Sequence, residues 1–359
     1  MPVNIQAASA EGYATGAQDH VRLVAWQHRY LAAIVLAYGV AALATTNLYG
    51  DGAAAALLGG LEVGSIPVIA GLYLVAWSRP GWLARILPPD ERNNGLPSQR
   101  LLHGLFTMVL LPLFFASFSA FKTMIPAINP FRWDDTFAAW DAALHGGTDP
   151  WRLLQPVLGY PAVTAVVDWI YISWFAVVFG ALFWQAFSVT NAERRMRFLL
   201  SFVLCWIVIG TVAATLLSSA GPVYLAPPAG SQFGYPDLLA YLQDVDRQYT
   251  ILVVEAQEML WQAYRSGEAH LGHGISAMPS MHVAAAVLAV LLFWRSGPVA
   301  RSGLILFAIM IFLGSIHLAW HYAIDGYVAA AMVVAIWKAT GRLARLSLAP
   351  GPAGSYPGD

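Results

Sequence analysis

Two short stretches of the chain combine histidine, serine and aspartate at spacings that could support group-transfer chemistry. The first reads HGISAMPSMH over residues 273–282, and the second reads SIHLAWHYAID over residues 315–325. In the second stretch His321 and Asp325 are four residues apart, so they would be neighbours on a helix. The carboxylate could fix the tautomer of the imidazole and leave its other ring nitrogen free to act as a nucleophile.

The first stretch could supply an anion site and a proton donor. Pro279 suits the first turn of a helix, where its missing N–H costs nothing. The N–H groups of Ser280 and Met281 would then be free to bind an anion, helped by the helix dipole. His282 would lie one turn from that anion and could donate a proton to a departing oxygen. Together the two stretches contain the parts needed for phosphoryl transfer through a phosphohistidine.

Two other interpretations of these residues stay open. His317, His321 and Asp325 are spaced along one helix face and could hold a metal ion. On a straight helix they would span about 12 Å of rise, too far for one ion, although a chain reversal near residues 317–322 weakens that objection. The alternative of another class is a catalytically silent scaffold or carrier. The single cysteine, Cys205, excludes an intramolecular disulfide and a multi-cysteine metal site.

The composition excludes a soluble enzyme, a disordered protein and a nucleic-acid binder. Of the 359 residues, 58% are hydrophobic and only 11% are charged, whereas soluble domains carry about 25% charged residues. A formal net charge of −1 offers no basic surface for a nucleic acid. We therefore expect a polytopic membrane protein of the all-α class.

Eight apolar stretches are long enough, or nearly so, to cross a bilayer as helices. They cover residues 30–48, 53–77, 101–121, 162–187, 198–218, 281–296, 299–319 and 321–340. The last two are nearly continuous and together would be twice as long as a membrane is thick, so the chain must reverse around residues 317–322. The first two spans are predicted to form an accessory hairpin (residues 30–99), and the last six a catalytic bundle (residues 100–345).

The basic residues predict the orientation of the chain by the positive-inside rule. With a cytoplasmic N-terminal tail (residues 1–29), the outer segments hold only five of the 19 basic residues: Lys122, Arg132, Arg152, Arg247 and Arg265. The C-terminal tail (residues 346–359) is then cytoplasmic as well. Both histidine stretches lie at the opposite, outer face, and a bacterial inner membrane is the expected location.

Two long outer segments have amphipathic patterns. In the first, an apolar stripe from Phe131 to Leu144 predicts a helix lying in the membrane interface, with Asp134, Asp135 and Asp141 turned away from the stripe. Residues 236–266 form a second amphipathic stretch, rich in acidic residues. Each segment could be a surface cover over helix ends or a lid over an active site.

The two histidine stretches resemble signatures of the type 2 phosphatidic acid phosphatase superfamily. Pro279-Ser-Met-His282 is similar to its Pro-Ser-x-His motif, and His321-x-x-x-Asp325 to its third motif. The combination is most similar to the inositol phosphorylceramide synthase branch, and the resemblance covers residues 100–340. It implies His321 as nucleophile, Asp325 as its partner and His282 as general acid, with no metal or other cofactor. It also implies a phosphatase or phosphotransferase that acts on a membrane lipid.

The chain departs from the family pattern at the positions that supply arginine. The first motif of the family is Lys, six residues, then Arg-Pro. Here Lys122 is followed at that distance by Asn129, and by position Gly221–Tyr224 is the better equivalent. The third motif has Ser-Arg ahead of its histidine, where this chain has Gly314-Ser315. A bound phosphate therefore needs other positive or hydrogen-bonding partners.

Six polar side chains are candidates for binding the substrate or its phosphate: Ser280, His273, Tyr224, Lys122, His317 and Asp168. Ordinary structural roles are the alternatives, such as a snorkelling lysine at the membrane interface for Lys122 or a hydrogen-bonded packing residue for Asp168. A phosphodiester carries less charge than a phosphomonoester dianion. The missing arginines therefore favour a transferase that moves a phospho-headgroup onto an alcohol or lipid acceptor, with a lipid phosphate phosphatase as the alternative.

Overall fold

A computed structural model of the chain describes residues 5–49, 97–224, 235–266 and 274–349. Every regular element in these residues is helical. The span predicted at residues 53–77 and the predicted site residue His273 lie outside the described residues.

The described helices follow one another with short connections. In chain order they are α1 (Ile5–Tyr49), α2 (Pro97–Ile128), α3 (Asp134–Leu144), α4 (Pro150–Leu158), α5 (Pro161–Ile172), α6 (Trp174–Phe187), α7 (Ala192–Ile207), α8 (Tyr235–Asp246), α9 (Leu252–Ser266), α10 (Met281–Leu292), α11 (Pro298–His317) and α12 (Ala323–Leu348). Helix α7 runs on through a π-helical turn, Val208–Ala213, and a last turn, Ala214–Leu216, and a 3-10 turn follows at Pro222–Tyr224.

Six of these segments are long and apolar enough to cross a membrane: α1, α2, α5 together with α6, α7, α11 and α12. The chain is therefore an integral membrane protein. The described residues do not reach the predicted number of eight spans, because one predicted span falls outside them and another is shorter than expected. Helix α10 has 12 residues and rises only about 18 Å, whereas the hydrocarbon core is about 30 Å thick.

Helix α1 begins well before residue 29, where the sequence predicts the end of a polar tail, and it packs along α2 and also against α7 and α12. The Trp26 indole N–H donates to the carbonyl of Ala349 (2.9 Å), and the Arg29 guanidinium donates to the carbonyl of Ser347 (2.8 Å). The first part of α1 and the end of α12 therefore lie at the same end of the bundle. The sequence predicts a tail here because this stretch is polar. It does not show that Trp26 and Arg29 find their carbonyl acceptors more than 300 residues further along the chain.

The chain reverses between α11 and α12 at residues 318–322, as predicted. Ala319 has a left-handed φ of 60° in this reversal. Gly221, with a φ of 95°, packs against it, and a Cβ atom at that position would lie 2.7 Å from the carbonyl oxygen of Trp320. Because only glycine allows this approach and this φ, the loop ahead of the 3-10 turn lies directly against the reversal.

Helix α3 buries Asp134 and Asp141 on the same face as Phe137, so the prediction that these two residues turn away from the apolar stripe is wrong. Asp134 and Asp141 are buried beside Phe137, whereas Trp140 and Leu144 of the predicted stripe are 48% and 63% exposed. The carboxylate of Asp141 accepts the first two N–H groups of α12, at 2.6 and 2.8 Å. Those groups have no partner within their own helix, and this requirement outweighs the preference of aspartate for water.

Asp134 holds the loop that packs against the reversal. Its carboxylate accepts hydrogen bonds from the N–H groups of Ala220 (2.9 Å) and Gly221 (2.8 Å) and from the hydroxyl of Ser219 (2.7 Å). The Tyr322 hydroxyl also donates to it, at 3.1 Å. Helix α3 is thus joined through one carboxylate to both the loop and the reversal.

Helices α8 and α9 lie over the reversal, and we call this pair of helices the cover. The sequence predicts a single amphipathic stretch over residues 236–266, whereas the structure has these two helices. The first two N–H groups of α9 donate to the two carboxylate oxygens of Asp168 on α5, at 3.0 Å each. Further along α9, the side-chain amide of Gln257 donates to the carbonyl of Leu318 in the reversal (2.8 Å). The cover is therefore tied both to the bundle and to the reversal.

Replacing Asp168 by alanine should loosen the cover and leave the bundle folded. The start of α9 would lose an acceptor for two N–H groups, a loss of about 1–3 kcal/mol. Amide hydrogen exchange of the protein in detergent micelles should then become faster in α9 than in α12. The control is Asp237→Ala, which removes an exposed carboxylate paired with Arg152 on α4. Equal protection of α9 in the two variants would contradict the assigned cap.

Candidate active site

The two histidine stretches meet at one end of the bundle, where α10 and α12 begin. The ring centroids of His282 and His321 are 6.0 Å apart, and the ring planes are inclined by 61°. The N–H of Ser280, the N-cap residue of α10, donates to the carbonyl of Asp325 in the first turn of α12 (3.2 Å). This main-chain hydrogen bond joins the two helix starts and sets the spacing between the histidines.

His321 is oriented by Asp325. The Nδ1 atom of His321 is 3.2 Å from Oδ2 of Asp325, and the same oxygen accepts the N–H of Tyr322 (3.1 Å). His321 is 6% exposed and Asp325 is fully buried. With its hydrogen on Nδ1, facing the carboxylate, the neutral ring keeps a lone pair on Nε2. This arrangement would allow Nε2 to act as a nucleophile.

Burial keeps the His321 ring neutral. It lowers the pKa of His321 from 6.5 to about 3, the largest effect on this group. The nearby carbonyl of Ala277 favours the protonated ring, and the positive charge of Lys122 disfavours it. The lone pair on Nε2 is therefore available for bond formation near pH 7.

His282 lies between two aromatic rings, which we call the aromatic clamp. Tyr171 at the end of α5 stacks on it at 4.7 Å between centroids, and Trp174 at the start of α6 lies 4.6 Å away on a tilted plane. The Trp174 indole N–H also donates to the main-chain carbonyl of His282 (2.9 Å). Sequence reasoning assigned neither residue to His282. The local signal for their placement is Ser173, a polar residue within the predicted span that lies between the end of α5 and the start of α6.

The ring nitrogens of His282 make no hydrogen bond to any residue that the structure describes. The clamp therefore fixes the plane of the imidazole through its faces and leaves its edge free. A ring held in this way could donate a proton to a group bound between the two histidines.

Lys122 brings a positive charge close to the histidine pair. Its charge acts on the His321 ring, and its ammonium group makes no hydrogen bond or ion pair with a described residue. Gly274, at the start of the first histidine stretch, packs on the main chain of Lys122, since a Cβ atom there would lie 2.6 Å from the Lys122 carbonyl carbon. The lysine is thus held beside the loop that leads into α10 and could balance the charge of a phosphate.

The start of α10 differs from its prediction. Pro279 precedes the N-cap residue instead of occupying the first helical turn. The N–H of Ser280 is not free for an anion because it bonds the carbonyl of Asp325, and the Ser280 hydroxyl accepts the N–H of Val283 (3.3 Å). The N–H of Met281, the first residue of the helix, has no acceptor among the described residues and is the donor that an anion could use here.

Tyr224 and Asp168 hold the cover in place. The Tyr224 hydroxyl donates to the carbonyl of Gln257 (2.9 Å), and its ring stacks on Trp261 at 5.1 Å. Both carboxylate oxygens of Asp168 are occupied by N–H groups of α9. A role in binding substrate stays a prediction for these two residues and for His273, which lies outside the described residues.

His317 makes its side-chain contacts with α5 and with the cover. Its Nε2 is 2.9 Å from the Thr164 hydroxyl, and its ring lies 6.0 Å from that of Tyr241. A substrate role for it also stays a prediction. Over the described part of the chain, no group of three His, Cys, Asp or Glu residues is placed to hold a metal ion. The geometry therefore does not support a metal bound jointly by His317, His321 and Asp325.

Comparison with known proteins identifies the family of the chain. A family model of the PAP2 superfamily matches residues 135–339, more than half of the chain. The matched range includes His282, His321 and Asp325 and begins after Lys122. No curated protein and no solved structure matches the chain. The match confirms the superfamily predicted from the two histidine stretches, without distinguishing a branch within it. The chain belongs to the PAP2 superfamily.

Proposed function

We propose that this protein is a phosphotransferase of membrane lipids that works through a phosphohistidine at His321. Its membership of the PAP2 superfamily supports a phosphatase or phosphotransferase that acts on lipid-like substrates. The observation that carries the finer proposal is the buried His321–Asp325 pair, which lies across from the clamped ring of His282 at 6.0 Å.

The first step forms a covalent intermediate. Nε2 of His321 attacks the phosphorus of a lipid phosphoester, and the bond between phosphorus and the leaving oxygen breaks. His282 gives its proton to that oxygen, so that the first product leaves as an alcohol. Asp325 stabilises the positive charge that develops on the His321 ring through the hydrogen bond to Nδ1.

The second step resolves the phosphohistidine. An alcohol or a water molecule gives its proton to His282 while its oxygen attacks the phosphorus, and the N–P bond breaks to restore His321. With an alcohol the product is a new phosphodiester, and with water it is a phosphomonoester or inorganic phosphate. His282 carries the proton again at the end of the cycle. Burial lowers the pKa of His282, and the His321 ring and the charge of Lys122 lower it further, so the protonated ring depends on the negative charge of the bound phosphate.

The aromatic clamp suits His282 to this double role. Its protonated ring would be stabilised by cation–π attraction to the faces of Tyr171 and Trp174 and by the charge of a bound phosphate. Its neutral ring stacks on the same faces. The clamp therefore holds the imidazole in one position in both protonation states.

Two features of the site support transfer over hydrolysis. Among the lysines and arginines that the structure describes, Lys122 is the one whose charge acts on the His321 ring. One cation suits the single charge of a phosphodiester better than the double charge of a phosphomonoester dianion. His321 is also only 6% exposed, and exclusion of water favours attack by an alcohol. These features support an activity of the inositol phosphorylceramide synthase kind, and a phosphatidic acid-type phosphatase is the second candidate.

The proposed orientation places both termini in the cytoplasm and the histidine pair at the outer face of a bacterial inner membrane. The hydrogen bonds of Trp26 and Arg29 to the end of α12 support termini on one side. The positive-inside rule supports the choice of side.

Substitution of His321 by alanine should abolish turnover. The purified protein would be incubated with a labelled lipid phosphodiester and an alcohol acceptor in the presence of a chelator. We expect a labelled acceptor product from the unaltered protein and at least about a 10³-fold loss in the variant, which lacks the nucleophile. His145→Ala is the control, because His145 lies at the end of α3 and bonds Tyr327 outside the pair.

The products of the same experiment separate the candidate functions. Labelled product on the acceptor identifies a transferase, whereas phosphate released from a monoester substrate identifies a phosphatase. Turnover that survives in the His321 variant would overturn the nucleophile assignment. Loss of all turnover in chelator would favour a metal-dependent hydrolase, and absence of turnover in every arm a scaffold.

Lys122 should contribute to binding of the phosphate in the transition state. The two lysines of the chain, Lys122 and Lys338, provide a matched pair. Lys122→Met should lower kcat/KM for a phosphodiester by about 10²–10³, the effect of removing one charge-stabilising donor, whereas Lys122→Arg should retain most of the activity. Lys338→Met, at the far part of α12, should leave it unchanged. Equal activity of the two methionine variants would contradict the assigned role.

The acid side of the pH profile should show that His321 stays neutral. Burial holds its pKa near 3, so the nucleophile is protonated only in strongly acidic solution. In a His282→Ala background, a nitrophenyl phosphodiester provides a leaving group that needs no acid. Its kcat/KM should be the same at pH 7 and pH 5. A fall with a midpoint near 6.5, the ordinary value for histidine, would contradict this electrostatic account.

A further inference from the structure

Three arginines, which we call the arginine site, lie at the end of the bundle opposite the histidine pair. Arg197 is in the second turn of α7, Arg345 is in the last turn of α12, and Arg295 lies between α10 and α11. Helices α7, α10 and α12 pack against one another, and both α10 and α12 begin at the histidine pair. The far end of this group of helices therefore brings the three arginines together.

Arg197 is held in place by α12. Its Nε atom donates to the carbonyl of Trp337 (2.9 Å), and its guanidinium lies over the Trp337 ring, 4.2 Å from the ring centroid. A Cβ atom at Gly341 would lie 3.4 Å from Cζ of Arg197, so the guanidinium also lies against the next turn of α12. Its two terminal nitrogens make no hydrogen bond to a residue that the structure describes, and both keep accessible surface. They are therefore available to an acceptor from outside the chain.

Positive charge exceeds negative charge around Arg197. The charges of Arg295 and Arg345 both act on its guanidinium, and Glu193 is the carboxylate among the described groups that acts on it. Glu193 is already paired with Arg345, at 3.1 Å. Two like charges and one shared carboxylate thus surround Arg197. A bound anion would relieve this repulsion.

The arginine site lies at the level of the lipid headgroups. Arg197 and Arg345 are near the ends of α7 and α12, two helices that are long and apolar enough to cross a membrane, so their guanidiniums lie at its edge. Apolar side chains are exposed nearby, with Trp294 next to Arg295 and Val334 nearer the middle of α12. A lipid could place its phosphate against the guanidiniums and its acyl chains along these side chains.

We propose that the arginine site binds the phosphate of an anionic phospholipid from the leaflet opposite the histidine pair. The two terminal nitrogens of Arg197 would donate to two phosphate oxygens, since a guanidinium matches phosphate in this geometry. Arg295 and Arg345 would add charge at the rim. Because Trp337 already fixes the guanidinium, little side-chain freedom would be lost on binding. No group that we assign to the reaction lies in this site.

The proposal can be tested by measuring which lipid stays bound to the full chain. The protein would be placed in nanodiscs of phosphatidylcholine and phosphatidylglycerol in equal amounts, and the retained lipid would be counted by native mass spectrometry. The unaltered chain would be compared with Arg197→Gln, Arg295→Gln and the control Arg342→Gln. Arg342 is exposed on α12 beside Gly341, and its charge is not among those that act on Arg197.

Each variant removes one positive charge at the same end of the bundle, so any non-specific attraction of anionic lipid should fall equally in all three. We expect the unaltered chain and Arg342→Gln to retain phosphatidylglycerol in preference to phosphatidylcholine. Arg197→Gln should retain about tenfold less of it, the effect of losing a charge-assisted hydrogen bond. Arg295→Gln should weaken retention in the same direction, and because Arg295 is exposed this variant separates loss of binding from loss of packing.

Equal retention by Arg197→Gln and Arg342→Gln, or no preference for phosphatidylglycerol, would overturn the proposal. A parallel thermal unfolding titration in detergent uses inorganic phosphate. Stabilisation by phosphate that is lost in Arg197→Gln, without any preference for the anionic lipid, would assign the site to the free ion and overturn the lipid assignment. Turnover is not the readout in either arm, so none of these outcomes affects the proposed reaction at His321.

Discussion

Four buried aspartates accept backbone N–H groups around the catalytic end of the bundle, and the site depends on these hydrogen bonds. Asp325 accepts from the main chain beside His321, Asp141 from the start of α12, Asp134 from the loop against the reversal and Asp168 from the start of α9. An apolar environment offers no water for such groups, and each unpaired N–H costs several kcal/mol. Irregular chain can therefore exist at this depth only because side chains supply the acceptors.

The same carboxylates determine what the site can bind. Burial raises the pKa of Asp141, and the hydrogen bonds from the start of α12 act against that rise. These carboxylates surround the centre that would hold an anion in the proposed reaction, and Lys122 lies beside the histidine pair. One nearby cation would suit the single charge of the proposed phosphodiester better than a doubly charged phosphate. The proposed substrate would therefore fit a chain that has Gly314-Ser315 where the family motif has Ser-Arg.

Six of the eight predicted spans are long apolar helices in the described residues, and these and the reversal could be predicted because both follow from hydrophobicity and length. The pairing of His321 with Asp325 was predicted from their separation of four residues on a helix. In the structure His321 precedes the N-cap of α12 and meets the carboxylate at the third residue of that helix. The inward face of α3 could not be predicted, because a pattern of apolar residues does not show which N–H groups need an acceptor elsewhere in the chain. The aromatic clamp was missed for a similar reason: Trp174 reaches His282 only through the break between α5 and α6.

The cover connects burial of the site with the choice of acceptor. A phosphohistidine at His321 would react with whichever hydroxyl reaches it first, and water is the most abundant one. The cover meets the reversal through the bond from Gln257 to Leu318 and is held to the bundle through Asp168. A few polar bonds of this kind can open without unfolding the spans. In the proposed reaction such opening would admit an acceptor lipid, and the closed state would keep water out. On this view the cover sets the ratio of transfer to hydrolysis, and the histidines supply the chemistry common to both.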